Sequence, residues 1–413
     1  MSEKDWLGEL AAQGELANLL ASSRELQDAA GYGHTLAEIC QQPDTWVQTA
    51  ESVIQAREWL GEWIEDVRWV VLTGSGSSQY VGECAHPVLQ PELNRPVNTL
   101  GGGWLLVDGS RSVPPTRPGL LVSLARSGES PESLAVVEAF LEGEPCVKHL
   151  IITCNPDGRL ATGFCDDPRV VRLDLDPRTN DRSLVMTSSF TNMAIACRTL
   201  GLLGDAAAIR KLAKRLSCGA QRILLEHAGA LAEAARGPYT KAVFLGTGCR
   251  LGSARESALK MLEMNLGRIP TIAETYLGLR HGPMCVLDRD ALAVCFLSSD
   301  PLARAYEEDL LAELNHKDLG ARKVVVGANV AQGLLADGDV AIQVPEMAEI
   351  GDAGSPVLDV LAGQLLAFFR CIDGGFRPDN PSTGVISRVV NGFPIYRGKG
   401  ASEDAVLELG RKR

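Results

Sequence analysis

The sequence predicts an α/β protein made of two tandem copies of one unit, each with a mainly parallel sheet. In WVVLTGSGSSQYVG (69–82), an apolar strand leads into a Gly/Ser turn and then into a helix. Strands that alternate with helices imply right-handed crossovers and therefore parallel pairing. The same order recurs in KAVFLGTGCRLGSARESALKMLE, where Gly246 stands 172 positions after Gly74. This period is close to half the chain and far longer than that of a solenoid repeat.

The composition is that of an ordinary globular protein of 413 residues, with 45% hydrophobic and 22% charged residues. At this length two domains are the expected arrangement. The formal net charge of −12 argues against nucleic acid or an anionic membrane as the main partner, because both would be repelled. An anionic ligand would therefore need donors placed locally around its site.

The sequence indicates a cytoplasmic protein. The first residues, MSEKDWLGEL, lack a basic-then-apolar signal pattern, and no apolar run reaches the roughly 20 residues of a membrane span. Eleven cysteines occur without framework spacing, and several lie inside apolar runs, namely Cys154, Cys197, Cys295 and Cys371. We expect these to be buried thiols in a reducing compartment.

The pattern divides the chain into four segments. Residues 1–50 have helix formers and caps without glycine turns and are predicted to form a helical N-terminal arm. The two α/β units are predicted at 51–215 and 216–390, and a C-terminal tail at 391–413. Because parallel α/β sheets bind ligands at the carboxyl ends of their strands, the turns that follow the strands are the candidate binding sites.

The glycine turns do not match nucleotide-binding patterns. GxGxxG fails in the first turn, because Gln79 occupies the place of the third glycine, and the chain contains no GK[ST]. Neither turn has an obvious acidic residue for a ribose at the usual distance of roughly 20 residues. A metal site is not indicated either, since Cys84-x-His86 and the pair His281 and Cys285 lack further matching ligands. We expect no cofactor.

The turns of the first unit instead suit a small phosphate monoester. Backbone amides at a helix N-terminus donate hydrogen bonds, the helix dipole favours the negative charge, and serine hydroxyls add donors. In SLARSGESPES, Ser130 is the predicted N-cap and Pro131 the first helical residue. Capping alone would also explain Ser130, but Arg126 and a second Gly/Ser turn favour a phosphate. An ion pair with Glu129, or with a neighbouring subunit, is the alternative for Arg126.

The second unit places a group of titratable residues on one predicted helix. In ESALKMLEMNLG, Glu256, Lys260 and Glu263 fall at i, i+4 and i+7 and share one stripe. On spacing alone, a solvated ion-pair face is an equally good interpretation. His281 follows in the tight turn LRHGPM beside Arg280, and it titrates near neutrality, as an acid or base catalyst should.

The ordered set of motifs resembles the sugar isomerase (SIS) domain family. It comprises GSGSS, LARSGESPES, MTSSFTNM, RESALKMLE and LRHGP, with HTLAEICQQP upstream and DNPSTGVISRVVNGF near the end. Over nearly the whole chain it is most similar to the AgaS branch of galactosamine-6-phosphate deaminase/isomerases and tagatose-6-phosphate ketose/aldose isomerases. The resemblance implies a three-layer α/β/α sandwich around a five-stranded parallel sheet in each unit.

The resemblance also implies roles for individual residues. Glu263 takes the place of the base that moves a proton between C1 and C2, and Glu256 and Lys260 would position it. His281 falls where a histidine assists ring opening, often across a subunit boundary, so a homodimer or higher homo-oligomer is expected. The phosphate donors that it implies are Ser77, Ser78, Ser127 and Ser130. Arg126, which departs from the related synthase motif by replacing a polar side chain with a cation, and Ser188 are the further expected phosphate or substrate contacts.

We therefore expect an enzyme that converts galactosamine 6-phosphate, or a related 2-amino-2-deoxyhexose 6-phosphate, to a ketose 6-phosphate and ammonia. The phosphate would dock at the first-unit turns, and ring opening and proton transfer would take place at the second-unit residues. Without the nitrogen, the same steps make an aldose–ketose isomerase, which the residues alone leave open. A non-catalytic phosphosugar sensor is the other alternative, although the chain shows no basic helix-turn-helix segment.

Overall fold

Two five-stranded sheets, with all strand pairs parallel, form the two units. The computed structural model describes residues 6–12, 14–317, 319, 322–382, 384–390 and 393–396. The first sheet consists of β1 (Val70–Gly74), β2 (Val97–Gly101), β3 (Gly119–Ala125), β4 (Val147–Thr153) and β5 (Val170–Asp174). The second consists of β6 (Lys241–Leu245), β7 (Thr271–Glu274), β8 (Ala291–Phe296), β9 (Arg322–Gly327) and β10 (Val340–Gln343).

The order of strands is the same in both sheets. It is β2-β1-β3-β4-β5 in the first and β7-β6-β8-β9-β10 in the second. The turns that follow β1 and β6 also match, because Gly76 (φ 57°) and Gly248 (φ 59°) hold the same left-handed conformation, which glycine adopts most easily. The tandem repeat predicted from the sequence is therefore confirmed.

Helices account for most of the remaining chain. The arm and the helix that follows it are α1 (Trp6–Ala12), α2 (Glu15–Leu20), α3 (Arg24–Ala30), α4 (Gly33–Cys40) and α5 (Gln42–Glu65). The first unit contains α6 (Ser77–Leu93), α7 (Gly102–Asp108), α8 (Pro131–Gly143), α9 (Arg159–Thr162) and α10 (Ser188–Thr199). Beyond it lie α11 (Ala206–Arg222), α12 (Ala228–Ala235), α13 (Arg250–Met264), α14 (Tyr276–Leu279), α15 (Pro301–His316), α16 (Glu346–Gly354) and α17 (Pro356–Asp373).

The segment limits stay predictions. The limit at 50 falls inside α5, and the limit at 215 falls inside α11, which a π turn at Ile223–His227 joins to α12. Of the tail predicted at 391–413, only residues 393–396 are among those the structure describes. The helical arm itself is confirmed.

Each sheet is covered on both faces, as parallel sheets require. Every residue of β1, β3 and β8 is buried. One face of each sheet packs into a common core that includes α5, α10 and α17, while α8 covers the outer face of the first sheet and α15 that of the second. The three-layer sandwiches are thereby confirmed, and the shared core brings helices of the two units into contact.

Two further sequence predictions can be compared with the described residues. The four cysteines expected to be buried thiols are buried, and all eleven cysteines of the chain are free. No single described helix is long and apolar enough to cross a membrane. The pair α16 and α17 passes that test jointly, but the chain bends by 101° between them.

Candidate active site

A cavity of about 340 Å³ is lined by residues of both units. Ser77 begins α6 directly after the first glycine turn, and Arg126 follows β3. Lys260 and Glu263 reach the cavity from α13 of the second unit. The other lining residues are Leu184, Met186, Val385, Ile386, Ser387, Arg388 and Val390. The cavity therefore combines predicted phosphate contacts with the predicted base.

The stripe on α13 is a buried ion-pair network and not a solvated face. Lys260 Nζ lies 2.6 Å from Glu263 Oε2 and 3.3 Å from Glu256 Oε1. The side chains of Lys260 and Glu256 are 1% and 0% exposed, whereas that of Glu263 is 25% exposed. Glu263 is therefore the one carboxylate of this stripe that a ligand can reach.

Burial and mutual charge shift the protonation of this network. Burial raises the pKa of Glu256 to about 7; Lys260 opposes that shift and Glu263 adds to it. The 3.3 Å contact to Lys260 is an ion pair without hydrogen-bond geometry, and neither oxygen of Glu256 accepts a hydrogen bond from a described residue. Burial alone would lower the pKa of Lys260, but the two carboxylates raise it above its usual value. Lys260 is therefore held as a cation.

A hydrogen bond links the helix of the base to the turn of the other unit. Lys260 Nζ donates to Ser77 Oγ at 3.1 Å. The two helices approach closely because Gly252 of α13 has no side chain: a Cβ there would lie 2.6 Å from the backbone nitrogen of Cys84 in α6. The sequence did not predict this contact, although a glycine in the middle of a helix is a signal of close packing.

Arg126 lines the cavity but is held by backbone oxygens. Its Nη1 donates to the carbonyls of Ser183 (3.1 Å) and Leu184 (2.9 Å), and its Nη2 donates to the carbonyl of Arg388 (2.5 Å). The alternative ion pair with Glu129 does not form. A carboxylate oxygen of Glu129 instead accepts a hydrogen bond from the backbone N–H of Arg159. Burial lowers the pKa of Arg126, and so does nearby Arg388.

The other predicted phosphate contacts do not line the cavity. Ser130 is the N-cap of α8 as predicted, with Pro131 at the first helical position, but its hydroxyl makes no capping bond. Ser127 Oγ accepts from the N–H of Glu129, and Ser78 is buried below the turn. Ser188 is fully buried, and its hydroxyl donates to a carboxylate oxygen of Asp181 at 2.5 Å.

His281 is not part of the cavity of its own chain. It is exposed, in the turn that follows α14, where Gly282 adopts φ 129°. The neighbouring Arg280 pairs with Asp309 and Glu313 of α15, on the outer face of the second sheet. A role for His281 at this cavity would thus depend on a second copy of the chain.

Sequence reasoning missed the third wall of the cavity, which is formed by residues 385–390. Arg388 in this segment donates from Nε to the carbonyl of Asp181 (2.8 Å) and from Nη2 to Asn180 Oδ1 (2.6 Å). The available signal was a single arginine in the otherwise uncharged stretch GVISRVVNGF near the end of the chain. In the part of the chain that the structure describes, no group of three or more His, Cys, Asp or Glu residues is placed to hold a metal ion.

Comparison with known proteins identifies similar sequences and a similar solved structure. No protein-family model matches the sequence. A Streptomyces coelicolor protein that carries the name AgaS is 38% identical over 88% of this chain and 95% of its own length. The D-galactosamine-6-phosphate deaminase AgaS of Escherichia coli O157:H7 is 32% identical over 88% of this chain and 95% of its own. The tagatose-6-phosphate ketose/aldose isomerase structure from Escherichia coli is 30% identical, with a TM-score of 0.78 over 85% of this chain and 96% of that one.

Two parallel sheets with a polar cavity between them define this molecule as a double SIS-domain enzyme of the phosphosugar isomerase class. Within that class, sequence identities of 38% and 32% to two AgaS proteins, each over 88% of this chain, identify the family. The chain belongs to the AgaS family of phosphosugar deaminases and isomerases.

Proposed function

We propose that this enzyme deaminates and isomerises galactosamine 6-phosphate to a ketose 6-phosphate and ammonia. The charge of the cavity carries the proposal. Three cations, Arg126, Lys260 and Arg388, line it together with a single carboxylate, Glu263, in a chain whose formal net charge is −12. Such a local excess of positive charge suits a phosphate dianion. The choice of an amino sugar as the substrate rests on the names of the relatives, which are galactosamine-6-phosphate deaminases.

Glu263 is proposed as the base. Removal of the C2 proton and its return to C1 requires one carboxylate that can reach both carbons. Glu263 is the exposed member of the α13 stripe, and Lys260 holds its carboxylate at 2.6 Å. Glu256 and Lys260 are positioning residues in this scheme, because their side chains are at most 1% exposed.

The reaction balances without further reactants except water. After ring opening, transfer of the C2 proton to C1 and of one amine proton to O1 converts the 2-amino aldehyde into a C2 imine with a hydroxyl at C1. Water adds to the imine carbon, and ammonia leaves to give the ketone at C2. With a hydroxyl in place of the amine, the same proton transfer gives a ketose directly, so the isomerase remains the second candidate.

Ring opening is proposed to depend on a second subunit. His281 is exposed and lies outside the cavity of its own chain. An acid or base at the ring oxygen needs to be within hydrogen-bond distance of it. We therefore propose a homodimer or larger homo-oligomer in which His281 reaches the cavity of the partner, in the cytoplasm.

An ammonia-release assay tests the proposal. Purified enzyme is incubated with galactosamine 6-phosphate and, separately, with glucosamine 6-phosphate, and ammonia is measured by a coupled reaction. We expect ammonia from galactosamine 6-phosphate. If neither sugar yields ammonia while tagatose 6-phosphate is isomerised, the deaminase proposal is wrong and the isomerase is favoured.

A further inference from the structure

Two guanidinium groups of the cavity have no carboxylate partner. Arg126 donates to three backbone carbonyls, and Arg388 donates to one backbone carbonyl and one amide oxygen. Neither forms an ion pair with a described carboxylate. Each guanidinium has five N–H donors, so two of Arg126 and three of Arg388 remain without a partner among the described residues.

The nearby carboxylates are committed elsewhere. Asp181 accepts hydrogen bonds from the N–H groups of Thr187 and Ser189 and from the hydroxyl of Ser188. Burial and the charge of Asp181 raise the pKa of Glu38, whose carboxyl oxygen accepts hydrogen bonds from the N–H groups of Arg182 and Ser183. The remaining carboxylate, Glu263, pairs with Lys260. Two adjacent cations therefore line the cavity, and neither is in direct contact with a described carboxylate.

The segment that carries Arg388 is anchored at both ends. Its upstream anchor is Asp379, which accepts hydrogen bonds from the N–H groups of His34 (3.1 Å) and Thr35 (2.7 Å) in the N-terminal arm. Its downstream anchor is the bond from Arg126 to the carbonyl of Arg388. These contacts hold the backbone of the segment, and the hydrogen bonds to Asp181 and Asn180 hold the guanidinium of Arg388 on the cavity wall.

We propose that Arg388 is a substrate-binding residue and that, together with Arg126, it forms the subsite for the phosphate group. The inference rests on the proposed function, since it assigns the phosphate of that substrate. Arginine is well suited to the role because its planar donors match two phosphate oxygens at once. Ser77 Oγ lies on the same cavity and supplies a further hydrogen-bonding group. The phosphate would thus bind between the first-unit turn and the C-terminal segment.

Arg388→Gln tests the subsite. We expect KM for the amino-sugar phosphate to rise about 10- to 100-fold, which is the usual loss for a hydrogen bond to a charged group, while kcat changes less than threefold. The dissociation constant of inorganic phosphate, measured by isothermal titration, should rise by a similar factor. Arg388→Lys should recover part of both losses, because it restores the charge without the planar fork.

Two control variants separate charge from structure. Arg182→Gln removes the same charge from an exposed position outside the cavity, next to Asp181, which Arg388 contacts, and should leave both constants at the wild-type value. Asn180→Ala removes a hydrogen-bond partner of Arg388 and keeps its charge. If Asn180→Ala reproduces the full effect of Arg388→Gln, Arg388 acts by holding the segment in place, and the proposal is overturned.

The outcomes distinguish this inference from the function on which it rests. If the wild type releases ammonia and Arg388→Gln leaves phosphate affinity and KM unchanged, the subsite is wrong and the function stands. If the wild type turns over no amino-sugar phosphate, and Arg388→Gln binds inorganic phosphate more weakly than the wild type does, the function is wrong and the anion subsite stands. A fall in kcat with unchanged phosphate affinity also contradicts the subsite.

Discussion

In the first unit the turns at the carboxyl edge of the sheet open onto a cavity, whereas in the second unit the equivalent turns are filled by the protein's own side chains. Ser77 and Arg126 line the cavity from the first unit. In the second unit, Arg250 begins α13 at the position that Ser78 holds in α6, 172 residues earlier. Arg250 is fully buried and makes an ion pair with Asp359 of α17.

The turn after β8 shows the same difference. Asp352 accepts a hydrogen bond from the hydroxyl of Ser298, and another from the N–H of Ser299 at 2.7 Å. Glu307 accepts one from the N–H of Ser298 at 2.6 Å. Carboxylates of the chain thus occupy donors of the kind that bind an anionic ligand. The carboxyl edge of the sheet is therefore open to a cavity in the first unit, whereas side chains of the protein fill the equivalent turns in the second unit.

The second unit, whose turns are filled, contributes helix α13 to the cavity instead. α13 starts at the filled turn, packs against α6 and carries Lys260 and Glu263 into the cavity of the first unit. The proposed division thus gives anion binding to the turns of the first unit, together with Arg388 of the C-terminal segment, and proton transfer to α13 of the second unit. Three substitutions test this division, taken from the largest expected effect to the smallest.

The largest effect is expected for Glu263→Gln. Without a carboxylate at the cavity, kcat should fall about a thousandfold, which corresponds to about 4 kcal/mol, because general base catalysis is lost. Inorganic phosphate should still bind with nearly wild-type affinity, since its donors lie elsewhere. Equal losses of turnover and of phosphate affinity would show that the two units do not divide the work in this way.

A stability effect is expected for Asp359→Asn in the second unit. This substitution removes the closer of the two carboxylates paired with the buried Arg250, leaving Asp352 at 3.6 Å, and should lower the free energy of unfolding by about 3 kcal/mol in denaturant titrations. Glu51→Gln is the matched control, because Glu51 pairs with Arg210 at the surface and its loss should cost less than about 1 kcal/mol. Similar costs for both variants would contradict a structural role of the buried pair.

The smallest effect concerns a buried residue on β4 of the first sheet. His149 is fully buried, and neither ring nitrogen has a hydrogen-bond partner among the described residues. On β9, the corresponding strand of the second sheet, the buried cation Lys323 is paired with Asp339 at 2.6 Å. The two sheets should therefore respond differently to acid.

Burial lowers the pKa of His149 to about 4 in the folded protein, against about 6.5 in the unfolded chain. Its neutral form supports folding fully above pH 6.5, and this support is lost as the pH falls toward 4. At pH 5.5 the loss should be about 1 kcal/mol. His149→Leu should remove that part of the pH dependence of unfolding, and an unchanged pH dependence would contradict the assignment.

The fold could be predicted from the sequence because its signals are local. Glycine turns after apolar strands mark β1 and β6, and their spacing reveals the repeat. Three strands were not predicted from the residues: β2, β7 and β10 are short and lie at or near sheet edges, where partly buried side chains give weak patterns.

Local signals also account for the part of the candidate site that the sequence predicts. Helical spacing places Glu256, Lys260 and Glu263 together, but spacing does not show which of them is exposed. Arg388 contacts Asn180, more than 200 residues away in the chain, and no local pattern reports such a contact. Four of the serines predicted as ligands, Ser78, Ser127, Ser130 and Ser188, do not line the cavity, and their role stays a prediction. Serines near a helix start can also cap helices or donate to buried acids, as Ser188 does to Asp181.

A crystal structure of Glu263→Gln with galactosamine 6-phosphate would test the division of labour between the two units most directly. We expect one bound sugar, with its phosphate against Ser77, Arg126 and Arg388 and its C1 and C2 against residue 263 on α13. A phosphate bound instead at the turn after β8 in the second unit, or a sugar whose C1 and C2 lie away from α13, would contradict it.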